Sequence, residues 1–188
     1  FKTAPKWDIE GKTDYVNFLE KYNYKNRGCY TCPIACMQNY RVPGLGATVI
    51  SCELYTQLNW GVRNDDMMLW YETTKMCHLY GIDPVSVSRV IAWLSYLYEE
   101  GIISARETDG IAMEWGSRDA IYGMLQKTID REGLGDVIAD GIDAVAKKLD
   151  AAIPATKRQG KSTKYWAMQV KNNPMYDINP RYKSNALA

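Results

Sequence analysis

Three cysteines fall within eight residues, as Cys29-x-x-Cys32-Pro33-x-x-Cys36, and no other feature restricts this chain as strongly. Thiolates are soft ligands, suited to iron–sulfur clusters or to zinc. Two residues between the first pair let one turn direct two sulfurs at one centre. Cys32 and Cys36 stand four apart, so on a helix they would share a face. Pro33 suits the first helical position. The spacing therefore predicts a loop that runs into a helix and presents three sulfurs to one point. A structural zinc site takes four ligands, usually as two separated pairs. This chain has no second pair, and its single histidine is His78. A cubane cluster also takes four thiolates, so one ligand is missing from the triplet. Cys52, Cys77 or a cysteine outside the chain are the open sources. The triplet reads first as a cluster site and second as zinc.

Five cysteines is an odd number, which a fully paired disulfide framework cannot use. Their density suits metal binding in a reducing compartment and predicts a cytoplasmic protein. The 188 residues suffice for one domain or two small ones with a buried core. A net charge of +1 sets up no global field for nucleic acid or an anionic membrane. No apolar run approaches the ~20 residues of a membrane-spanning helix, and no basic, apolar leader marks secretion. The start at Phe1 and the stop at Ala188 suit a processed or partial chain. Tyr and Trp, 14 and 6, greatly outnumber the 2 Phe. Such rings line cofactor sites, but they more often fill cores and interfaces.

Periodicity predicts a mainly α chain with little strand. A short helix is expected over 14–22, followed by a polar stretch over 23–28. Residues 42–49, with Pro43, Gly44 and Gly46, read as a turn or short hairpin. A helix over 65–80 has an acidic first turn and stops at Gly81. Pro84 opens the next, with Val87, Val90, Ile91, Leu94 and Tyr98 as one buried stripe. Residues 108–116 read as turns with room for a short strand. Ser117 caps a helix with Ile121, Met124, Leu125, Thr128 and Ile129 on one face. A last helix is expected from about Asp136, with the stripe Ile138, Ile142, Val145 and Leu149. The basic stretch Lys157, Arg158, Lys161 and Lys164 reads as a solvated loop, or as a contact for an acidic partner or a CoA phosphate.

With these residues in view, the stretch 27–36 (Arg-Gly-Cys-Tyr-Thr-Cys-Pro-Ile-Ala-Cys) resembles the tungsten- and molybdenum-dependent aldehyde ferredoxin oxidoreductases. Later stretches are similar to that family in the same order. They are 52–56 (Cys-Glu-Leu-Tyr-Thr), 80–83 (Tyr-Gly-Ile-Asp), 98–103, 108–110, 114–116 (Glu-Trp-Gly) and 131–136 (Arg-Glu-Gly-Leu-Gly-Asp). Each is weak alone; their shared order is specific, and it covers nearly the whole chain from about residue 13.

The resemblance implies helical domains 2 and 3 of that fold, as a partial chain. Residues 1–28 would be a linker and short helix, 29–153 a helical region touching cluster and pterin, and 154–188 a loop-rich segment. It implies a [4Fe–4S] cluster on Cys29, Cys32 and Cys36, with the fourth cysteine after Ala188. It also implies a tungsten or molybdenum bis-pterin, held largely by a domain before Phe1. The implied reaction oxidises an aldehyde to a carboxylate, with ferredoxin or an iron–sulfur subunit as electron acceptor, in a homo- or hetero-oligomer. The family includes the catalytic subunit of the ATP-independent benzoyl-CoA reductase, so reduction of an aromatic acyl-CoA thioester is the alternative. A non-catalytic single-cluster electron-transfer module and a zinc-stabilised structural domain are the readings from other classes.

The first pterin-contact motif of the family, Asp-x-x-Gly-Leu-(Asp or Cys), falls on residues 78–83, so His78, Gly81, Ile82 and Asp83 are expected to bind the cofactor. His78 replaces the first acid. A carboxylate there accepts hydrogen bonds from pterin N–H groups, whereas a neutral imidazole accepts only one. From the residues alone, Gly81 simply ends a helix and His78 packs on it. Glu53 aligns with a family glutamate near the metal and is the expected catalytic residue, moving a proton if its pKa is raised. The alternative for Glu53 is an acid at a helix N-terminus. Tyr55 stands where many members carry a second acid. Cys52 and Cys77 read as small buried hydrophobes.

Overall fold

The computed structural model describes residues 15–51, 57–171 and 173–174. Helices predominate, as expected, and the strands are short. Helix α1 (Tyr15–Tyr22) leads into an antiparallel sheet of β1 (Asn23–Arg27), β2 (Met37–Val42) and β3 (Gly46–Ser51), in the order β1-β2-β3. The β2–β3 connection is the hairpin that Pro43, Gly44 and Gly46 predict, with Val42 opposite Gly46. The polar stretch after α1 is instead an edge strand. Residues 24–27 are exposed and carry no apolar alternation, so the β2 ladder recruits them through backbone pairing. Asn39 adds a side-chain bond to Lys25 O at 2.7 Å.

Helix α2 (Met67–Tyr80) packs against the sheet. Asp66 caps it, its carboxylate accepting from the N–H of Met68 and of Leu69. One orphan turn of donors is thereby satisfied, and the helix begins two residues later than the acidic pair suggests. Phe18, Tyr40, Trp70 and Tyr71 meet in an aromatic cluster with ring centroids 5.7–6.2 Å apart. Tyr40, Trp70 and Tyr71 are fully buried. Part of the aromatic excess is therefore core. The Tyr71 hydroxyl donates to Gly46 O at 2.9 Å and ties the hairpin to α2.

Helix α3 (Pro84–Glu99) buries Val87, Val90, Ile91 and Leu94, while Tyr98 is only partly buried. Its Trp93 Nε1 donates to Thr163 O at 3.1 Å, which fastens the C-terminal turn to the core. Residues 101–117 form turns and loop without a strand. A single π turn, Asp119–Gly123, then runs into α4 (Met124–Asp130). Where one helix is expected from Asp136 there are two, α5 (Leu134–Ile138) and α6 (Ile142–Ala152). Gly141, at φ 96 and ψ 176, breaks them in a conformation open to glycine. The stripe Ile138, Ile142, Val145 and Leu149 is buried all the same.

The basic stretch is only partly solvated. Arg158 bonds Ile153 O and Lys161 O and pairs with Asp150, and Lys164 pairs with Asp143. A 3₁₀ turn (Thr163–Trp166) and the pair β4 (Gln169–Val170) and β5 (Asn173–Pro174) close the described chain.

Candidate functional site

The three cysteines lie on the loop 28–36, whose ends are held by the Arg27–Met37 pair of β1 and β2. No helix follows Pro33. Ala35, at φ 48, is left-handed, and a left-handed residue between Pro33 and Cys36 is incompatible with a continuing α turn. Thr31 is left-handed as well. The loop is compact: Cys32 N–H donates to Cys29 O at 2.9 Å. Gly28 lies against that turn, where a Cβ would stand 2.7 Å from Cys32 O.

All three cysteines are free thiols, Cys29 exposed and Cys32 and Cys36 half-buried. Among the described residues no three His, Cys, Asp or Glu side chains converge closely enough to hold one metal ion. A closed zinc site would need four such ligands at one point. A cluster spreads its thiolates over several irons. Three free thiols on one folded loop fit that donor chemistry. Cys77 is not one of these loop thiols. It is fully buried on α2, and burial, with a smaller push from Asp83, raises its thiol to about 12. It therefore stays protonated at neutral pH, as the small buried hydrophobe expected. Cys52 lies outside the described residues.

Residues 78–83 form the corner between α2 and α3. Gly81, at φ +68, ends α2, and Gly81 and Ile82 both donate their N–H to Cys77 O. Asp83 caps α3, accepting from Val85 N at 3.2 Å and Ser86 N at 3.0 Å. Gly81, Ile82 and Asp83 form part of the wall of a cleft of about 630 Å³; Ile129, Ile138 and Ile142 also line it, with Asp140 and Arg131 among its polar groups. That volume is in the range of small-molecule and cofactor sites. Carboxylate acceptors beside an apolar surface suit the N–H-bearing edge of a pterin ring. The corner also has the purely structural role that the residues alone suggest.

His78 is not part of that wall. It is exposed on one side and faces β3, where Nδ1 lies 3.1 Å from Thr48 Oγ1. Desolvation by the neighbouring protein lowers its pKa below the ordinary imidazole value. The corner therefore brings three motif residues to one cleft and turns the fourth toward the sheet.

Glu53 and Tyr55 lie outside the described residues. Gln57, just after them, is fully buried, and its amide oxygen accepts from Ser88 Oγ at 3.4 Å and Arg89 Nη2 at 3.2 Å. Arg89 is 4% exposed. A buried charge needs compensation, so this guanidinium is a notable group of the core. Sequence reasoning passed over it. The available signal was a cation set inside the apolar stripe Val87, Val90 and Ile91.

The corner, the cleft and the thiol-bearing loop lie on a mainly α fold, and comparison with known proteins gives the family. The model described as "Aldehyde ferredoxin oxidoreductase, domains 2 & 3" matches residues 1–188. The chain belongs to the aldehyde ferredoxin oxidoreductase family. It is 32% identical over 123 residues to the tungsten-containing aldehyde ferredoxin oxidoreductase of Pyrococcus furiosus, covering 64% of this chain and 20% of that protein. The enzyme of the same name from Thermococcus kodakarensis is 30% identical over 123 residues, with the same coverage of both chains. A solved chain in the active-site complex BamBC of benzoyl coenzyme A reductase, in complex with 1,5-dienoyl-CoA, shares the fold. Its TM-score is 0.72 at 20% identity, over 98% of this chain and 27% of that one. The present chain thus spans about one-fifth of the length of the curated relatives it matches.

Proposed function

We propose that this chain is the part of a tungsten- or molybdenum-pterin oxidoreductase that supplies three ligands to a [4Fe–4S] cluster and one wall of a pterin site. The enzyme would oxidise aldehydes to carboxylates and pass electrons to ferredoxin or to an iron–sulfur subunit. The observation that carries this reading is the set of three free thiols on the loop 28–36 in a chain of this family. When bound, the metal, pterin and cluster supply the redox chemistry that side chains cannot.

The chain's own residues hold and position. Cys29, Cys32 and Cys36 give thiolate sulfurs from a loop pinned at both ends by the β1–β2 ladder. Gly81, Ile82 and Asp83 hold the corner of the cleft, with the Asp83 carboxylate aligned by the N–H groups of Val85 and Ser86. Glu53 takes or gives the substrate's proton at its carboxylate. A self-contained electron-transfer module would need a fourth thiolate from the chain, which Cys52 or Cys77 would have to supply.

Reduction of an aromatic acyl-CoA thioester is the second reading, favoured by the shared fold with the benzoyl coenzyme A reductase complex. Assay of the full-length enzyme, purified without oxygen, separates the two. Aldehyde-dependent reduction of ferredoxin supports the first reading. Activity with an aromatic acyl-CoA and none with aldehydes overturns it. In the active enzyme Glu53→Gln is expected to lower kcat by roughly 10²–10⁴-fold, the usual contribution of a general acid–base group, with metal content unchanged. An unchanged kcat would remove Glu53 from the mechanism.

A further inference from the structure

The first two thiols of the triplet share one closed turn, and the third does not. Cys29 O accepts from Cys32 N–H at 2.9 Å, so Cys29, Tyr30, Thr31 and Cys32 fold as a single β-turn. A turn of this kind brings its first and fourth Cα atoms within about 7 Å. A disulfide joins Cα atoms about 4.4–6.8 Å apart. Cys36 lies beyond left-handed Ala35, and among the described residues no backbone hydrogen bond closes the stretch from Cys32 to Cys36. The tip of the turn is open to small molecules: Tyr30 is 97% exposed and Cys29 is exposed, with Cys32 half-buried behind it.

We propose that Cys29 and Cys32 form a reversible disulfide when no cluster is bound, with a small-molecule disulfide as the oxidant. The Cys29 sulfur attacks that disulfide, forms a mixed disulfide and releases one small thiol. The Cys32 sulfur then attacks Cys29 Sγ and releases the second. Over both steps the protein loses two electrons and two protons, which the two released thiols carry, and one S–S bond is exchanged for another. Two of the three ligands are thereby kept from oxidation beyond the disulfide, and cluster assembly waits on a thiol reductant. The pairing rests on the turn; its bearing on assembly rests on the reading of the triplet as a cluster site.

Thiol mapping of the full-length protein tests it. The protein is stripped of iron with a chelator, reduced, freed of reductant without oxygen and checked for folding by circular dichroism. It is then incubated with oxidised glutathione at pH 8, treated with iodoacetamide and digested with trypsin. The peptide 28–41 holds Cys29, Cys32 and Cys36. It should carry the alkyl tag on Cys36 alone, with Cys29 and Cys32 joined, and should carry it on all three after reduction. Cys36→Ser, which needs no stripping if the triplet binds a cluster, should form the same bond. Glutathione left on Cys29, a bond made to Cys36, or three tagged thiols after oxidation overturns the inference. Iron and sulfide in the protein as purified separate the two claims. Pairing in a protein that never carried iron and sulfide defeats the cluster reading alone. Thiols that stay unpaired after a cluster is stripped defeat only the disulfide.

Discussion

Burial divides the described cysteines into two chemical kinds. Cys29 is open to solvent and Cys77 is sealed in the core with its thiol pushed up to about 12. Since the thiolate is the reactive form, cluster-free protein treated with iodoacetamide at pH 8 should be modified at Cys29 first. Cys77 should stay silent until the protein is unfolded. Peptide mass spectrometry checks this, and modification of Cys77 as fast as Cys29 in the native state would contradict it. His78 makes a second residue-scale prediction. Its folded pKa is lower than the unfolded value near 6.5. The unfolded chain therefore binds the proton more readily, so stability is full above about pH 6.5 and falls as pH drops toward the folded pKa. His78→Gln should flatten that part of a denaturation-midpoint profile, with a small effect because the ring is partly exposed. Loss of the paired Asp150 carboxylate acts in a more acid range, since that pKa is lowered. Burial opposes this shift, and the bonds from Ser162 and Thr163 with the charge of Arg158 outweigh it. The exchange of acid for imidazole at position 78 was legible in the sequence. Its partner Thr48 was not, because nothing local marks a contact across thirty residues.

At the scale of elements, the apolar stripes were sufficient to find the helices, while glycine and left-handed residues set where they break. The four-residue spacing of Cys32 and Cys36 fits a helical turn and a folded loop equally, and Ala35 decides for the loop. Several stretches that carry the family resemblance turn out to be mechanical locks. Asp109 accepts from Leu134 N–H at 2.5 Å, so residues 108–110 and 131–136 meet. Gly116 fits against Arg63 O, where a Cβ would stand at 2.5 Å. Arg63 in turn lies over the Trp115 ring at 4.2 Å. Gly135 on α5 abuts the backbone of Lys127, with 2.2 Å left for a Cβ. Gly135→Ala should therefore cost about 1–3 kcal/mol, as overpacking against backbone does. Gly101→Ala, which meets nothing within 4 Å, bears only the strain of φ +68, about 1 kcal/mol. Urea unfolding of the two variants compares them, and equal midpoints would show that the Gly135 contact relaxes.

Across the whole molecule, buried residues from Phe18 to Ile153 form one hydrophobic cluster, with the cysteine loop and the α2–α3 corner at its surface. Among the described residues, no helix is long and apolar enough to cross a membrane. The family was legible because the order of many short stretches survives even where each is weak. The geometry of the site was less so, because three thiols on a loop complete a cluster only with a ligand contributed from elsewhere. The central claim is that this loop is three-quarters of an iron–sulfur site. Iron and acid-labile sulfide in the full-length protein, purified without oxygen, test it most directly. The wild type should carry about four of each for this cluster, as the [4Fe–4S] type requires, and Cys29→Ser, Cys32→Ser and Cys36→Ser should each lose them while the protein stays folded by circular dichroism. Zinc in place of iron and sulfide, or iron and sulfide undiminished in all three variants, would contradict the account.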